Sequence, residues 1–106
     1  MIEDIESAIR SDLESGWPDA EIVDRRANVG FSDGKTTSHT FRIHTDDEKF
    51  ELTVGPHAVR SENARGVIDA LRNAGWIEQI REKGRILVEK DEDGFTVGPR
   101  PDSIVL

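Results

Sequence analysis

Apolar residues recur at helical spacing in two separate stretches of the chain. In the clearer stretch, residues 61–76, one apolar stripe is formed by Ala64, Val67, Ile68, Leu71 and Ala74. Residues three and four positions apart lie on the same face of an α-helix, so this stripe predicts one amphipathic helix. Ser61 is suited to cap its first free N–H groups, and Gly75 is suited to end it in the left-handed conformation.

The second stripe predicts a helix over residues 2–15. Its apolar face consists of Ile2, Ile5, Ile9 and Leu13. Glu3, Asp4 and Glu6 lie near the N-terminus of this helix, where the helix dipole favours negative charge. The helix is expected to end at residues 16–19, which contain a Trp-Pro step, because proline biases the preceding residue away from helical angles.

Alternation of apolar and polar residues predicts strands in much of the remaining chain. Five such stretches occur, at residues 21–31, 41–44, 49–54, 85–90 and 95–97. In the first stretch Val23, Ala27, Val29 and Phe31 fall on the apolar side. Arg25 falls among these positions, which predicts a β-bulge or a sheet edge there. Acidic residues and glycine predict turns at 32–35, 45–48 and 91–94.

The order of these elements, α-β-β-β-α-β-β, predicts an α+β fold. The expected architecture is a meandering antiparallel sheet of about five strands with two helices on one face. Residues 1–98 are interpreted as a single domain and residues 99–106 as an extended C-terminal tail. The consecutive apolar residues Ile104, Val105 and Leu106 are a candidate interface, because they need cover from water. The favoured interpretation is that they pair as an edge strand within the domain. The alternatives are that they pair with a symmetric partner or bind another protein.

The chain is strongly acidic, with 22 acidic against 14 basic residues and a net charge of −8. Together with the scarcity of lysine, this composition resembles that of proteins from salt-loving archaea, in which negative surface charge maintains solubility. The chain has no cysteine, which excludes disulfides and cysteine-ligated zinc. The sequence contains neither a signal peptide nor a membrane span, so a cytoplasmic location and no membrane partner are expected.

The charges are unevenly distributed along the sequence. Residues 1–24 carry eight carboxylates against Arg10 alone, whereas residues 60–85 carry a net positive charge. In the second segment the candidates for binding an anionic ligand are Arg60, Arg65, Arg72 and Arg85. Sheets that bind nucleic acid usually combine such cations with exposed aromatic side chains, and the phenylalanines here fall mostly at inward positions. A solvated helix face with local ion pairs explains the same arginines.

Histidines and carboxylates give two indications of a chemical site. His44 and Asp46, with His39 close in sequence, are of the types that bind zinc or manganese. They lack a metal-binding motif spacing, and a polar strand end that runs into an acidic turn accounts for them equally. His57 is a candidate general base, but no nucleophile or orienting group stands at a recognisable distance in sequence. The sequence therefore yields no catalytic residue, no cofactor and no metal site.

The element order resembles that of the small acidic secretion chaperones. This resemblance, which is one of topology only, implies binding of extended peptides and dimerisation. We therefore expect a non-enzymatic protein-interaction module that associates with itself or with another protein. The first alternative is a nucleic-acid or nucleotide-binding accessory protein that uses the Arg-rich segment 60–85. The second alternative is a metal-dependent enzyme centred on His44 and Asp46.

Overall fold

The computed structural model of the chain describes residues 2–29, 37–60 and 63–100. This part of the chain contains three helices, which are α1 (Ile2–Gly16), α2 (Ala64–Asn73) and α3 (Trp76–Lys83). It also contains five strands, which are β1 (Glu21–Val29), β2 (Thr37–His44), β3 (Lys49–Val54), β4 (Arg85–Asp91) and β5 (Gly94–Pro99). The strands form one sheet in the order β1-β2-β3-β4-β5. The α+β fold and the five-stranded sheet are therefore confirmed.

The sheet differs from the predicted antiparallel meander at one of its pairings. β1 with β2, β2 with β3, and β4 with β5 are antiparallel, as expected. β3 and β4 are parallel, with Leu52 opposite Ile86 and Val54 opposite Val88. The difference arises because residues 55–84, which carry α2 and α3, return the chain to the end of the sheet at which β3 begins.

The described part of the chain contains one helix more than the two that the periodicity predicts. Gly75, with a φ of 64°, ends α2 as expected, but the chain then starts a new helix at Trp76. Trp76 and Ile80 are buried in the hydrophobic core, and α3 contacts β3, β4 and β5. This burial stabilises a helix of eight residues, which is too short to be stable alone. The predicted cap, Ser61, lies outside the described residues, and Asn63 occupies the N-cap position of α2.

The hydrophobic core lies between the helices and one face of the sheet, which we call the inner face. The strand residues in it, each at most 5% exposed, are Phe41, Ile43, Phe50, Leu52, Val54, Ile86 and Val88. The helix residues in it include Ile5, Ile9, Leu13, Val67 and Leu71. Ala64 and Ile68 are partly buried against this cluster, so both predicted apolar stripes are confirmed. The alternate strand residues point to the opposite side of the sheet, the outer face.

Two of the predicted turns fall within the described residues, and both are present. Between β2 and β3 the N–H of Thr45 donates to the carbonyl of Glu48 at 3.0 Å. Between β4 and β5 the N–H of Asp93 donates to Asp91 Oδ1 at 2.8 Å, and Gly94 has a φ of 125°. The turn predicted at residues 32–35 and the candidate interface at residues 104–106 lie outside the described residues.

Candidate interaction site

β1 forms one edge of the sheet and, with nine residues, is the longest strand in the described part of the chain. Of the strands that the structure describes, only β2 pairs with it. The N–H and C=O groups of β1 that point away from β2, in the plane of the sheet, therefore have no strand partner among the described residues. A row of such groups is a template for pairing with another chain. The sequence predicted a bulge or an edge at Arg25. The edge is confirmed, and the register shift lies nearby, between Ile22 and Asp24.

Val23 lies at this bulge, and its position corrects an expectation from the sequence. The alternating pattern placed Val23 on the apolar side of the strand, but its side chain is 43% exposed. A bulged residue lacks its own partner on the neighbouring strand, and the bulge reorients its side chain. The edge of β1 therefore presents an apolar side chain to solvent.

Three consecutive charged residues, Asp24, Arg25 and Arg26, lie at the middle of β1. Asp24 forms an ion pair with Arg42 of β2, whose Nε donates to Asp24 Oδ1 at 2.8 Å. This interaction holds the pKa of the Asp24 carboxyl below its usual range, so the carboxylate is charged at neutral pH. Arg25 Nη1 lies 3.3 Å from Glu6 Oε1 of α1. Arg26 is exposed and forms no ion pair with the described residues.

His39 and His44 do not approach each other, because they lie on opposite faces of β2. His39 stands opposite Ala27 of β1 and Val54 of β3, and its buried Nδ1 has no hydrogen-bond partner among the described residues. Burial lowers the pKa of His39, and the nearby charge of Arg25 lowers it further. The imidazole of His39 is therefore neutral at neutral pH.

The predicted metal ligands lie at the end of β2. His44 is the last residue of the strand, and Asp46 is exposed in the turn that follows. Within residues 2–29, 37–60 and 63–100, no group of three or more His, Cys, Asp or Glu side chains is arranged to hold a metal ion. The metal-enzyme alternative thus remains a hypothesis based on these two side chains.

His57 lies beside a carboxylate that the sequence did not associate with it. Its Nδ1 is 3.6 Å from Oε2 of Glu89 on β4. Glu89 Oε1 also accepts hydrogen bonds from the backbone N–H groups of His57, Ala58 and Lys90, at 2.9–3.2 Å. An open cavity of about 820 Å³ lies next to this pair. Its described lining contains no serine, threonine or cysteine, so no hydroxyl or thiol nucleophile lies beside this pair there, and Glu89 holds the loop through the backbone N–H groups of His57 and Ala58.

The four arginines of the predicted anionic-ligand patch have different surroundings. Arg60 lies in the loop after β3, and Arg85 is the first residue of β4, opposite Glu51 of β3. Arg65 of α2 is 82% exposed, and its Nε lies 3.4 Å from Asp69 Oδ1. This last contact is the i,i+4 ion pair expected of a solvated helix face.

Arg72, the fourth of these arginines, joins α2 to α1. Its Nε and Nη2 lie 3.0–3.2 Å from the carboxylate oxygens of Asp12. The same carboxylate accepts a hydrogen bond from Nε1 of Trp76 at 3.0 Å. Gly75 and Arg81 help to line an open cavity of about 520 Å³ beside this contact. Asp12 therefore connects all three helices, through partners 60 and 64 positions away in sequence.

A groove of about 540 Å³ lies between α2 and β5. Small residues of α2 form one wall, and Phe95 and Val97 of β5, both half-buried, form the other. Gly66 permits the close contact of the two elements, because a Cβ at this position would lie 2.4 Å from Cε2 of Phe95. Phe95 was among the phenylalanines expected at inward positions, and its ring packs against α2.

No protein-family model, curated protein or solved structure matches this chain. Among the helices in the described part of the chain, none has both the length and the apolar character needed to cross a lipid bilayer. A function must therefore be inferred from the geometry of the chain itself.

Proposed function

We propose that this chain is a non-enzymatic protein-interaction module of the cytoplasm that self-associates by pairing β1 of two copies. The observation that supports this proposal is the open edge of β1, nine residues long and without a second strand among the described residues. A two-fold axis perpendicular to the sheet would join two copies into one sheet of twice the width, with all helices on the same side. Main-chain hydrogen bonds would supply affinity, and side chains would set the register.

The charges of β1 favour one register for this pairing. Residues directly opposite each other in a two-fold antiparallel pair lie on the same face of the sheet. If Arg25 is at the axis, Asp24 of each copy stands opposite Arg26 of the other. If Asp24 or Arg26 is at the axis instead, it meets the same charge on the other copy, which is unfavourable. The register centred on Arg25 also brings the exposed Val23 opposite Ala27 of the other copy.

In this register Arg25 of one copy meets Arg25 of the other copy at the two-fold axis, on the inner face of the sheet. Each Arg25 lies 3.3 Å from Glu6 Oε1, and this carboxylate offsets the repulsion between the two guanidinium groups. The net charge of −8 on each chain opposes association over a longer range. Salt screens this long-range repulsion, since the Debye length falls to about 3 Å at 1 M ionic strength. Association is therefore expected to be stronger in molar salt than in dilute buffer.

Reversal of either charge is expected to weaken the association. Arg26→Asp sets two carboxylates opposite each other, and Asp24→Arg sets two guanidinium groups opposite each other. Each variant should have a dissociation constant raised at least about tenfold, equivalent to about 1.4 kcal/mol. An equimolar mixture of the two variants restores opposite charges at both positions and should form a mixed dimer. Sedimentation equilibrium in molar KCl measures all three associations.

Arg65→Asp is the matched control, since it makes the same change of net charge on an exposed position of α2. It should leave the dissociation constant unchanged. If Arg26→Asp associates as strongly as the unmodified chain, β1 is not the interface. If the unmodified chain is monomeric at every salt concentration, self-association itself is rejected.

We further infer from the resemblance of composition that the fold is adapted to high salt. Because carboxylates repel each other across the surface, the melting temperature should rise from dilute buffer to molar KCl. Circular dichroism melts below the association concentration measure this effect in the monomer. A variant carrying Glu14→Gln and Asp19→Asn, both at exposed positions, should show a smaller rise. Melting temperatures that do not depend on salt would contradict the adaptation.

A further inference from the structure

β5 forms the second edge of the sheet and, in the part of the chain that the structure describes, pairs only with β4. Just after β5, the N–H of Arg100 donates to the carbonyl of Arg85, at the start of β4, at 3.1 Å. Backbone groups along an antiparallel strand point alternately toward and away from its neighbour, so Phe95, Val97 and Pro99 direct theirs away from β4. Proline, which has no N–H, fits such an outward position. The N–H groups of Phe95 and Val97 therefore have no strand partner among the described residues.

The side chains of the same two residues line the groove between α2 and β5. Phe95 and Val97 are partly buried against the core, and Gly66, Ala70 and Ala74 line the groove from α2. In an antiparallel pair, residues directly opposite each other place their side chains on the same face of the sheet. A strand that pairs with the outward groups of β5 would therefore direct every second side chain into this groove. The unpaired backbone and the apolar groove are thus aligned to receive one extended segment.

Carboxylates predominate among the described charges around this groove. Asp69 lies at its rim on α2 and is 52% exposed, and residues 91–93, an exposed Asp-Glu-Asp sequence, form the turn at one end of β5. The two cations nearby already have contacts. Arg65 Nε lies 3.4 Å from Asp69 Oδ1, and Lys90 Nζ lies 5.8 Å from the centre of the Phe95 ring. A cationic segment is therefore attracted to this edge, whereas a second copy of the chain, with its net charge of −8, is repelled.

We propose that β5 and the groove bind an extended cationic segment of another protein, which adds a sixth strand to the sheet. Alternate apolar side chains of this segment occupy the groove beside Ala70 and Ala74, and its cations lie beside Asp69 and the turn at residues 91–93. Main-chain hydrogen bonds supply affinity, and the groove selects the side chains. The binding does not require the pairing of β1, because β5 is the opposite edge of the sheet.

A short synthetic peptide, in which valines alternate with threonines between terminal lysines, tests this proposal by NMR titration. The amide signals of Phe95 and Val97 should shift as the peptide is added. Their hydrogen exchange should also slow, because their N–H groups acquire acceptors. A control peptide with N-methylated valines has the same side chains but lacks the N–H groups that face β5, so its dissociation constant should be at least about tenfold higher. A second control peptide, with glutamates in place of the lysines, should also bind more weakly.

Variants of the protein test the contribution of charge. Asp69→Lys should raise the dissociation constant of the lysine peptide by about two- to fivefold, as expected for an exposed charge contact. Glu14→Lys, the matched control, makes the same change of net charge at an exposed position of α1 and should leave binding unchanged. Arg26→Asp, on β1, should also leave it unchanged, so failure of the self-association and failure of this proposal are distinguishable.

Three results would overturn the proposal. The first is an absence of shifts at every concentration of the peptide. The second is a set of shifts confined to β1, which would place the peptide at the other edge of the sheet. The third is equal binding of the N-methylated peptide, which would show that the contact is not strand addition.

Discussion

Replacement of Asp12 by alanine is expected to lower the free energy of unfolding by about 1–3 kcal/mol. The carboxylate of Asp12 accepts the hydrogen bond of Trp76 Nε1, and Trp76 is 2% exposed. Without Asp12 this buried N–H loses its acceptor, and the penalty for an unsatisfied buried donor sets the expected size. The ion pair of Asp12 with Arg72 adds less, because the guanidinium is 46% exposed and screened by water. Urea unfolding monitored by tryptophan fluorescence measures the change.

Two further variants separate the contributions of these contacts. Asp12→Asn keeps an acceptor for Trp76 Nε1 and should recover most of the lost stability. Asp69→Ala removes the exposed pair with Arg65 and should change the unfolding free energy by less than about 0.5 kcal/mol. If Asp12→Asn destabilises as much as Asp12→Ala, the ion pair with Arg72 and not the indole hydrogen bond holds the helices together.

Replacement of Gly66 by alanine should also destabilise the protein, by up to about 2 kcal/mol, which is the cost of overpacking less the gain in helix propensity. In an exposed helix this substitution normally stabilises by about 1 kcal/mol, so the expected sign is reversed. The reversal follows from the ring of Phe95, because the new Cβ would lie 2.4 Å from Cε2 of Phe95 and overpacking of this kind costs about 1–3 kcal/mol. Thermal and urea unfolding measure the change.

Gly98→Ala is the matched control for this substitution, since a Cβ at Gly98 has no atom within 4 Å. It should be neutral or slightly stabilising. The double variant Gly66→Ala with Phe95→Leu should recover part of the loss, because the smaller side chain leaves room for the Cβ. An increase in stability for Gly66→Ala alone would show that β5 does not pack against α2 as described.

The elements of the fold could be predicted from the sequence because each has a local period. Ile5, Ile9 and Leu13 repeat at helical spacing, and Phe50, Leu52 and Val54 alternate, so their burial follows from sequence alone. A bulge or a sheet edge in β1 also follows from the sequence, because Arg25 interrupts an otherwise apolar side. These features depend on residues only a few positions apart.

The parallel pairing and the third helix depend on contacts distant in sequence. Ile86 and Val88 would be buried whether β4 paired with β3 in the parallel or the antiparallel direction. The alternation of apolar residues therefore does not distinguish these two pairings. The apolar pattern of the helix that starts at Trp76 is too short to predict the helix from sequence. This helix forms because Ile80 is buried in the core. Contact of His57 with Glu89 spans 32 positions, and a pair so far apart leaves no pattern in sequence.

The proposed interface was recognised only in part from the sequence. The candidate interface in the sequence is the apolar segment Ile104 to Leu106, which lies outside the described residues, whereas the proposed interface is the edge of β1. The charges of Asp24 and Arg26 were visible in the sequence, but their role depends on β1 being an edge without a second strand among the described residues. Complementary charge on one strand becomes informative only once the strand order is known.

Hydrogen exchange along β1 tests the proposed association most directly. Amide exchange would be measured in molar KCl at protein concentrations below and above the association range. The proposal predicts that alternate amides of β1 on both sides of Arg25 become protected as concentration rises, since their outward N–H groups acquire acceptors on the other copy. Exchange in β1 that stays the same at all concentrations, or new protection in β5 instead, would contradict it.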